Sequence, residues 1–224
     1  MTSLNLSLIL AACIISSTLF ICNATPTTVP DSVIAECQRG VDEKGDVLVS
    51  CINKEFTEAE KNETRRMYNN TECIPCKHFC RKEEVILDCI RNGTASLMEV
   101  SNKSKLMVPF LGQLIERIIT SICENDAELM NVTNEEDKEC YRDSWKACKH
   151  EVNFMDELEK VAFCDYGIPE NDPYTLQYIC QKITDFIECT EKSVNSCSNA
   201  VKNFVRVLTT KSRVEELCAK SSNE

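Results

Sequence analysis

Two of the 16 cysteines in this 224-residue chain, Cys13 and Cys22, lie in an apolar leader, and the other 14 run from Cys37 to Cys218. An even set of cysteines behind such a leader reads as a disulfide framework of up to seven bridges. No other feature constrains the fold as much, because each bridge limits the freedom of the unfolded chain. The set is Cys37, Cys51, Cys73, Cys76, Cys80, Cys89, Cys123, Cys140, Cys148, Cys164, Cys180, Cys189, Cys197 and Cys218. Spacing alone leaves their pairing open.

The leader carries no charged side chain through residue 24, and its apolar run Leu8–Ile15 has the length of a signal-peptide core. Cys22-Asn23-Ala24 places small residues where a signal peptidase reads, so cleavage is expected after Ala24. The competing reading is a signal anchor, since about 20 apolar residues span a bilayer. Ser16, Ser17, Thr18 and Asn23 dilute the stretch, and no basic flank follows it. No second apolar run of that length is apparent. N-glycosylation signals agree with secretion: Asn62, Asn69, Asn92, Asn102 and Asn131 each open an N-x-S/T triplet, all between residues 62 and 133.

Residues 1–24 are thus read as a signal peptide, 25–36 as a flexible mature N-terminus, and 37–224 as one cysteine-rich helical domain. Gly (5) and Pro (6) are too scarce for a turn-dense β domain, while Glu, Lys and Leu are plentiful, which favours helices. The net charge of −11 repels phosphate backbones and anionic lipid and so argues against a nucleic-acid partner.

Helix signals recur along the chain. Thr57-Glu58-Ala59-Glu60 and Thr133-Asn134-Glu135-Glu136 read as capping boxes. Leu111, Leu114, Ile115, Ile118, Ile119 and Ile122 form one apolar stripe of a helix over 106–123. Asp172-Pro173 reads as a helix start leading to Ile183 and Phe186, and Cys197, Val201 and Phe204 open another stripe over 197–208. Ser212 is the expected cap of a last helix holding Cys218. Between Cys37 and Cys51 a turn at Lys44-Gly45 with a short strand is the expectation. The segments Cys80-x8-Cys89 and Cys180-x8-Cys189 echo each other, each with an aromatic two residues before the first Cys and Lys two residues after it. The echo reads either as a duplicated helical unit, with halves 37–125 and 126–224, or as chance similarity.

Nothing catalytic stands out. Cys73-x2-Cys76 with His78 and Cys80 has the residue types of a zinc site, but oxidation competes in the secretory pathway and disulfides are the preferred reading. No βαβ pattern surrounds Cys73-x2-Cys76 to suggest a thioredoxin-like redox pair. The two histidines, His78 and His150, sit in no recognisable triad setting, and no G-x-S-x-G occurs. No catalytic residue, metal ligand or cofactor is assigned.

From Cys73 to Cys218 the cysteine order and its flanks resemble the arthropod 27-kilodalton haemolymph glycoprotein family. The residues that carry the likeness are Phe79-Cys80-x8-Cys89, then Ile119-Thr-Ser-Ile-Cys123-Glu-Asn-Asp126 with Cys140-x7-Cys148. Cys180-x8-Cys189-x7-Cys197 with Asn203-Phe204-Val205 and Cys218 completes it. The resemblance implies a secreted, helical, disulfide-bonded glycoprotein of body fluid and brings no catalytic motif. The expected architecture is therefore an all-α, disulfide-stapled helical bundle. The expected role is a non-enzymatic circulating binding or carrier protein taking a small lipophilic ligand between the stripes of Leu114, Ile118, Ile122, Ile183, Phe186, Val201 and Phe204. The alternative is a secreted venom or salivary effector acting on an extracellular receptor.

Overall fold

The computed structural model describes residues 30–69, 73–127, 134–167 and 172–221. The leader, the Asn131 sequon and Thr133 lie outside them. The described residues are helical, with no strand among them, and the architecture is a disulfide-stapled all-α fold.

Helix α1 (Asp31–Lys54) overturns two expectations. The flexible N-terminus was expected to reach residue 36, and Lys44-Gly45 was expected to turn beside a strand. One continuous helix runs through both. Cys37, Val41, Leu48 and Ile52 recur at helical spacing, and Val41 and Ile52 are buried. Val47, in the segment expected to hold the strand, points outward from this helix and is 66 % exposed. Packing of that face and the bridges from Cys37 and Cys51 outweigh the cost of a helical glycine, about 1 kcal/mol.

Helix α2 (Glu58–Met67) starts at Thr57, whose hydroxyl accepts from the Glu60 N–H at 3.4 Å. The reciprocal half of the box does not form, because the Glu60 carboxylate turns to Arg81 and Lys82. Helices α3 (Ile74–Arg81) and α4 (Glu83–Leu97) are parted only by Lys82, so Cys80 and Cys89 sit on two helices. Helix α5 (Asn102–Ala127) opens with a reciprocal cap: the Ser104 N–H donates to Ser101 Oγ at 2.9 Å, and the Ser101 N–H to Ser104 Oγ at 2.8 Å. Pro109 removes one rung of this helix without ending it. Contrary to the sequence reading, Asn102–Glu124 is long and apolar enough to cross a bilayer, but 56 % of its apolar window is buried in the protein. It is a core helix here.

Helix α6 (Glu135–Cys148) is capped by Asn134, which accepts from the Asp137 N–H at 2.7 Å. A 3₁₀ stretch (Lys149–Glu157) and a π turn (Glu159–Phe163) follow. Helix α7 (Leu176–Ser193) begins after the cap Thr175, three residues later than Asp172-Pro173 suggested. Asp172 instead accepts the Tyr174 N–H and pairs with Lys103. Helices α8 (Asn199–Ser212) and α9 (Val214–Ser221) meet at Arg213, which adopts the left-handed φ of 48°. Ser212 does not cap α9, since its hydroxyl donates back to the Thr209 carbonyl.

Seven cysteine pairs stand at disulfide distance, and two sets of them are wired alike. Cys89 reaches back to Cys51 on α1, while Cys80 reaches forward to Cys123 on α5. In the same way Cys189 reaches back to Cys148 on α6, and Cys180 reaches forward to Cys218 on α9. Cys140–Cys197 ties α6 to the start of α8, and Cys37–Cys164 spans 127 residues to join the two parts of the chain. Cys73–Cys76 closes only three residues at the start of α3. In the loop-entropy account the longest bridge restricts the unfolded chain by about 5 kcal/mol, the 38-residue loops by about 4 and the shortest by about 2.

Three apolar clusters fill the interior. The largest draws on both parts of the chain, from Val41, Leu97 and Met107 to Val161, Ile179 and Leu217. The second joins Ile52, Phe79, Ile86, Leu87, Ile119 and Ile122. The third holds Tyr141, Val194, Val201 and Val205. The stripe of α5 is divided, with Leu111 and Leu114 in the first cluster and Ile119 and Ile122 in the second.

Close helix approach depends on two glycines. A Cβ on Gly93 would stand 2.8–3.0 Å from Leu48, and one on Gly112 would stand 2.7 Å from Thr94 Oγ1. A Cβ on Gly45 would meet nothing within 4 Å. Gly45→Ala should therefore raise stability by about 0.5–1 kcal/mol through helix propensity. Gly93→Ala should fall below it by about 1–3 kcal/mol, because Leu48 must be pushed aside. Denaturant melts of the two variants check this; equal effects would mean that α1 and α4 do not meet at Gly93.

Candidate functional site

The densest polar cluster lies where α2 meets α3. His78 is 1 % exposed, and both ring nitrogens are engaged. Nε2–H donates to the Glu55 carbonyl at 2.8 Å, which makes Nδ1 the acceptor. The Thr64 hydroxyl then donates to Nδ1 at 2.7 Å, although the Glu60 carbonyl is also 3.3 Å away. Phe56 packs its ring edge-to-face against the imidazole at 5.1 Å. A hydroxyl, an imidazole and a carbonyl in line have the connectivity of a nucleophile, a base and its orienting group. Yet Thr64 is 0 % exposed, so no substrate reaches it. The arrangement locks α3 to α2 and leaves His78 no lone pair for a metal.

Charged side chains cover this lock. Arg81 Nη2 contacts Glu60 at 2.9 Å and Glu63 at 3.2 Å, and Lys82 Nζ contacts Glu60 at 2.7 Å and Glu55 at 2.9 Å. The Lys82 ammonium, bonded to Glu60, holds that carboxyl below the usual range, and the same contact raises Lys82. Burial lowers the His78 pKa most, with the nearby Arg81 and Lys82 charges acting in the same direction and the Glu55 carbonyl opposing them.

The cysteines whose residue types suggested a zinc site stand in disulfide pairs, the preferred reading: Cys73 with Cys76, and Cys80 with Cys123. Among the described residues no group of three His, Cys, Asp or Glu side chains is placed to hold a metal ion. His150 is exposed beside Glu151 at 3.0 Å, far along the chain from this cluster.

A second polar knot surrounds Lys103, which is 8 % exposed. Its ammonium donates to the Lys160 carbonyl and to Asp172, over the Tyr174 ring at 5.4 Å. The Tyr174 phenol is pushed up to about 12, first by burial and then by Glu157. Nothing in the sequence marked Lys103 beyond its place in the Asn102 sequon.

An open groove of about 500 Å³ lies between α5 and α8, lined by residues such as Glu116, Thr120, Glu124 and Lys211. Its polar groups already have partners: Glu116 binds Arg91, Lys211 binds Glu124, and Arg117 donates to the Arg213 carbonyl. The apolar side chains expected to line one ligand space are instead dispersed. Leu114 and Ile183 lie in the largest cluster, Ile122 in the second and Val201 in the third. Phe186 and Ile118 pack at the largest cluster's edge, and Phe204 meets Tyr141 edge-on at 5.3 Å. The stripes of α5 and α7 meet in the largest cluster, the distal part of α5 serves the second, and α8 serves the third.

Four of the sequon asparagines, Asn62, Asn69, Asn92 and Asn102, are exposed. In three of these triplets the hydroxyl residue faces inward: Thr64 binds His78, Thr94 abuts Gly112, and Ser104 caps α5. The i, i+2 step turns about 200° around a helix, so asparagine and hydroxyl take opposite faces. Comparison with protein-family models, with curated proteins and with solved structures finds no match.

The His78 lock makes stability depend on pH. The folded pKa is depressed, so the unfolded chain binds the proton first as pH falls through 6.5. Stability from this group is fully present above about 6.5 and is lost toward the lower folded value. Chemical denaturation at pH 7 and pH 5.5 should show a drop in the parent chain. His78→Gln, which can still donate to Glu55, should flatten it; an unchanged slope would place the titrating group elsewhere.

Proposed function

We propose that this chain is a secreted, N-glycosylated, non-enzymatic protein of extracellular fluid that works by binding, and that its partner is met on the outer surface. The observation that carries the reading is the disulfide set. All 14 cysteines beyond the leader fall into seven pairs at bonding distance. Such a density persists in oxidising compartments and is rare where glutathione keeps thiols reduced. The apolar leader and the exposed sequon asparagines support the same setting. The cysteine order, similar to that of the arthropod haemolymph glycoproteins, adds a circulating body fluid to the proposal.

Of the two binding modes, an extracellular macromolecule such as a receptor fits better than a small lipophile. The apolar stripes are taken up by three packed clusters, and the groove between α5 and α8 is lined by charged and hydroxyl residues whose charged groups already have partners. A carrier site is ordinarily a concave and mostly apolar pocket.

The full chain expressed in secreting cells tests the reading. The protein should accumulate in the medium, and removal of N-glycans should increase its gel mobility. Native mass spectrometry should then show polypeptide and sugar alone. Retention in the cytosol would overturn the secreted assignment, and a stoichiometric bound lipophile would restore an interior carrier site.

A further inference from the structure

We infer that Cys73–Cys76 is a thiol–disulfide exchange site, reducible by a low-molecular-weight thiol while the other six bridges and the fold stay intact. Four observations converge on Cys73-Ile74-Pro75-Cys76. Six bridges tie separate elements across at least 38 residues, but this one closes a separation of three and joins nothing else. Cys73 is the N-cap of α3, and its sulfur accepts the Cys76 N–H at 3.3 Å. The helix therefore offers its positive end and a backbone donor to a thiolate at Cys73. The two residues also differ in exposure: Cys73 is half-buried, whereas Cys76 is buried at 8 % exposure. Finally, α3 does not need this bridge to stay in place. Cys80–Cys123, the His78 bonds to Thr64 and Glu55, and the Arg81 and Lys82 pairs with Glu60 all hold it.

The absence of a βαβ surround does not bear on the chemistry, which needs an accessible sulfur on a helix start. An incoming thiolate attacks Cys73 Sγ. A bond to the incoming sulfur forms as the Cys73–Cys76 bond breaks, and the electron pair leaves on Cys76, which takes a proton from solvent. A second thiolate attacks the incoming sulfur of the mixed disulfide. Cys73 departs as a thiolate, and the two small thiols leave as their own disulfide. Two electrons have passed to the protein, and an oxidised small disulfide returns it by the reverse path.

The test is graded reduction of the intact folded protein with glutathione or dithiothreitol, followed by alkylation and peptide mapping. Cys73 and Cys76 should be alkylated at a reductant concentration at least about tenfold below that opening any other bridge, with the helical circular dichroism unchanged. The Cys73→Ala/Cys76→Ala double variant should lose this early step and melt no more than about 8 °C below the parent. Given oxidised glutathione, Cys76→Ser should form a mixed disulfide at Cys73 by attack of the Cys73 thiolate on it, with release of one reduced glutathione. Opening of Cys73–Cys76 only together with the others, or loss of helix as it opens, would overturn the inference. If Cys76→Ser misfolds, the alkylation order in the parent chain decides alone.

Discussion

Two crossed pairs of disulfides bear on every other feature of this protein. In each C-x8-C segment one cysteine reaches back to an earlier helix and the other forward to a later one. A segment held from both sides cannot slide along its axis or roll, so its apolar face is committed to a given neighbour. With α1 pinned by Cys37 and Cys51, the chain keeps a helix through two glycines, Gly40 and Gly45. With α4 pinned to α1, Gly93 can be pressed onto Leu48.

The framework also explains why the interior is divided. Helix α5 meets α4 on one side and the π turn and α9 on another, so a single run of Leu and Ile serves two clusters. Buried polar groups sit at the joints between these units and are satisfied locally: His78 by Thr64 and Glu55, Lys103 by Asp172 and the Lys160 carbonyl. Such knots are costly to leave half-made, and each fixes one relative placement of helices. Their satisfaction commits these side chains to holding helices in place.

Six bridges and these knots hold elements together, whereas Cys73–Cys76 lies within one short turn. A small cysteine-rich protein can therefore combine a rigid frame with one exchangeable bond, provided that the bond crosses no boundary. The same separation appears in the sequons. Asn62, Asn92 and Asn102 face outward, while their hydroxyl partners two residues on face in, so an exposed asparagine and a core contact share one triplet without conflict.

The all-α class was legible because it rests on local terms: scarce Gly and Pro, apolar residues at helical period, and a Thr57 cap that the structure retains. The even cysteine set was equally plain. What local terms could not convey was anything set by partners distant in the chain. Strand-like Val47 and Val49 lie in a helix because Cys37 and Cys51 anchor it to residues 164 and 89. Asp172 caps no helix because Lys103 claims it from 69 residues away. His78, offered by its neighbours as a metal ligand, was taken by Thr64 and Glu55. The stripes were readable but their destinations were not, because periodicity says which face of a helix is buried and only the packed neighbours decide against what.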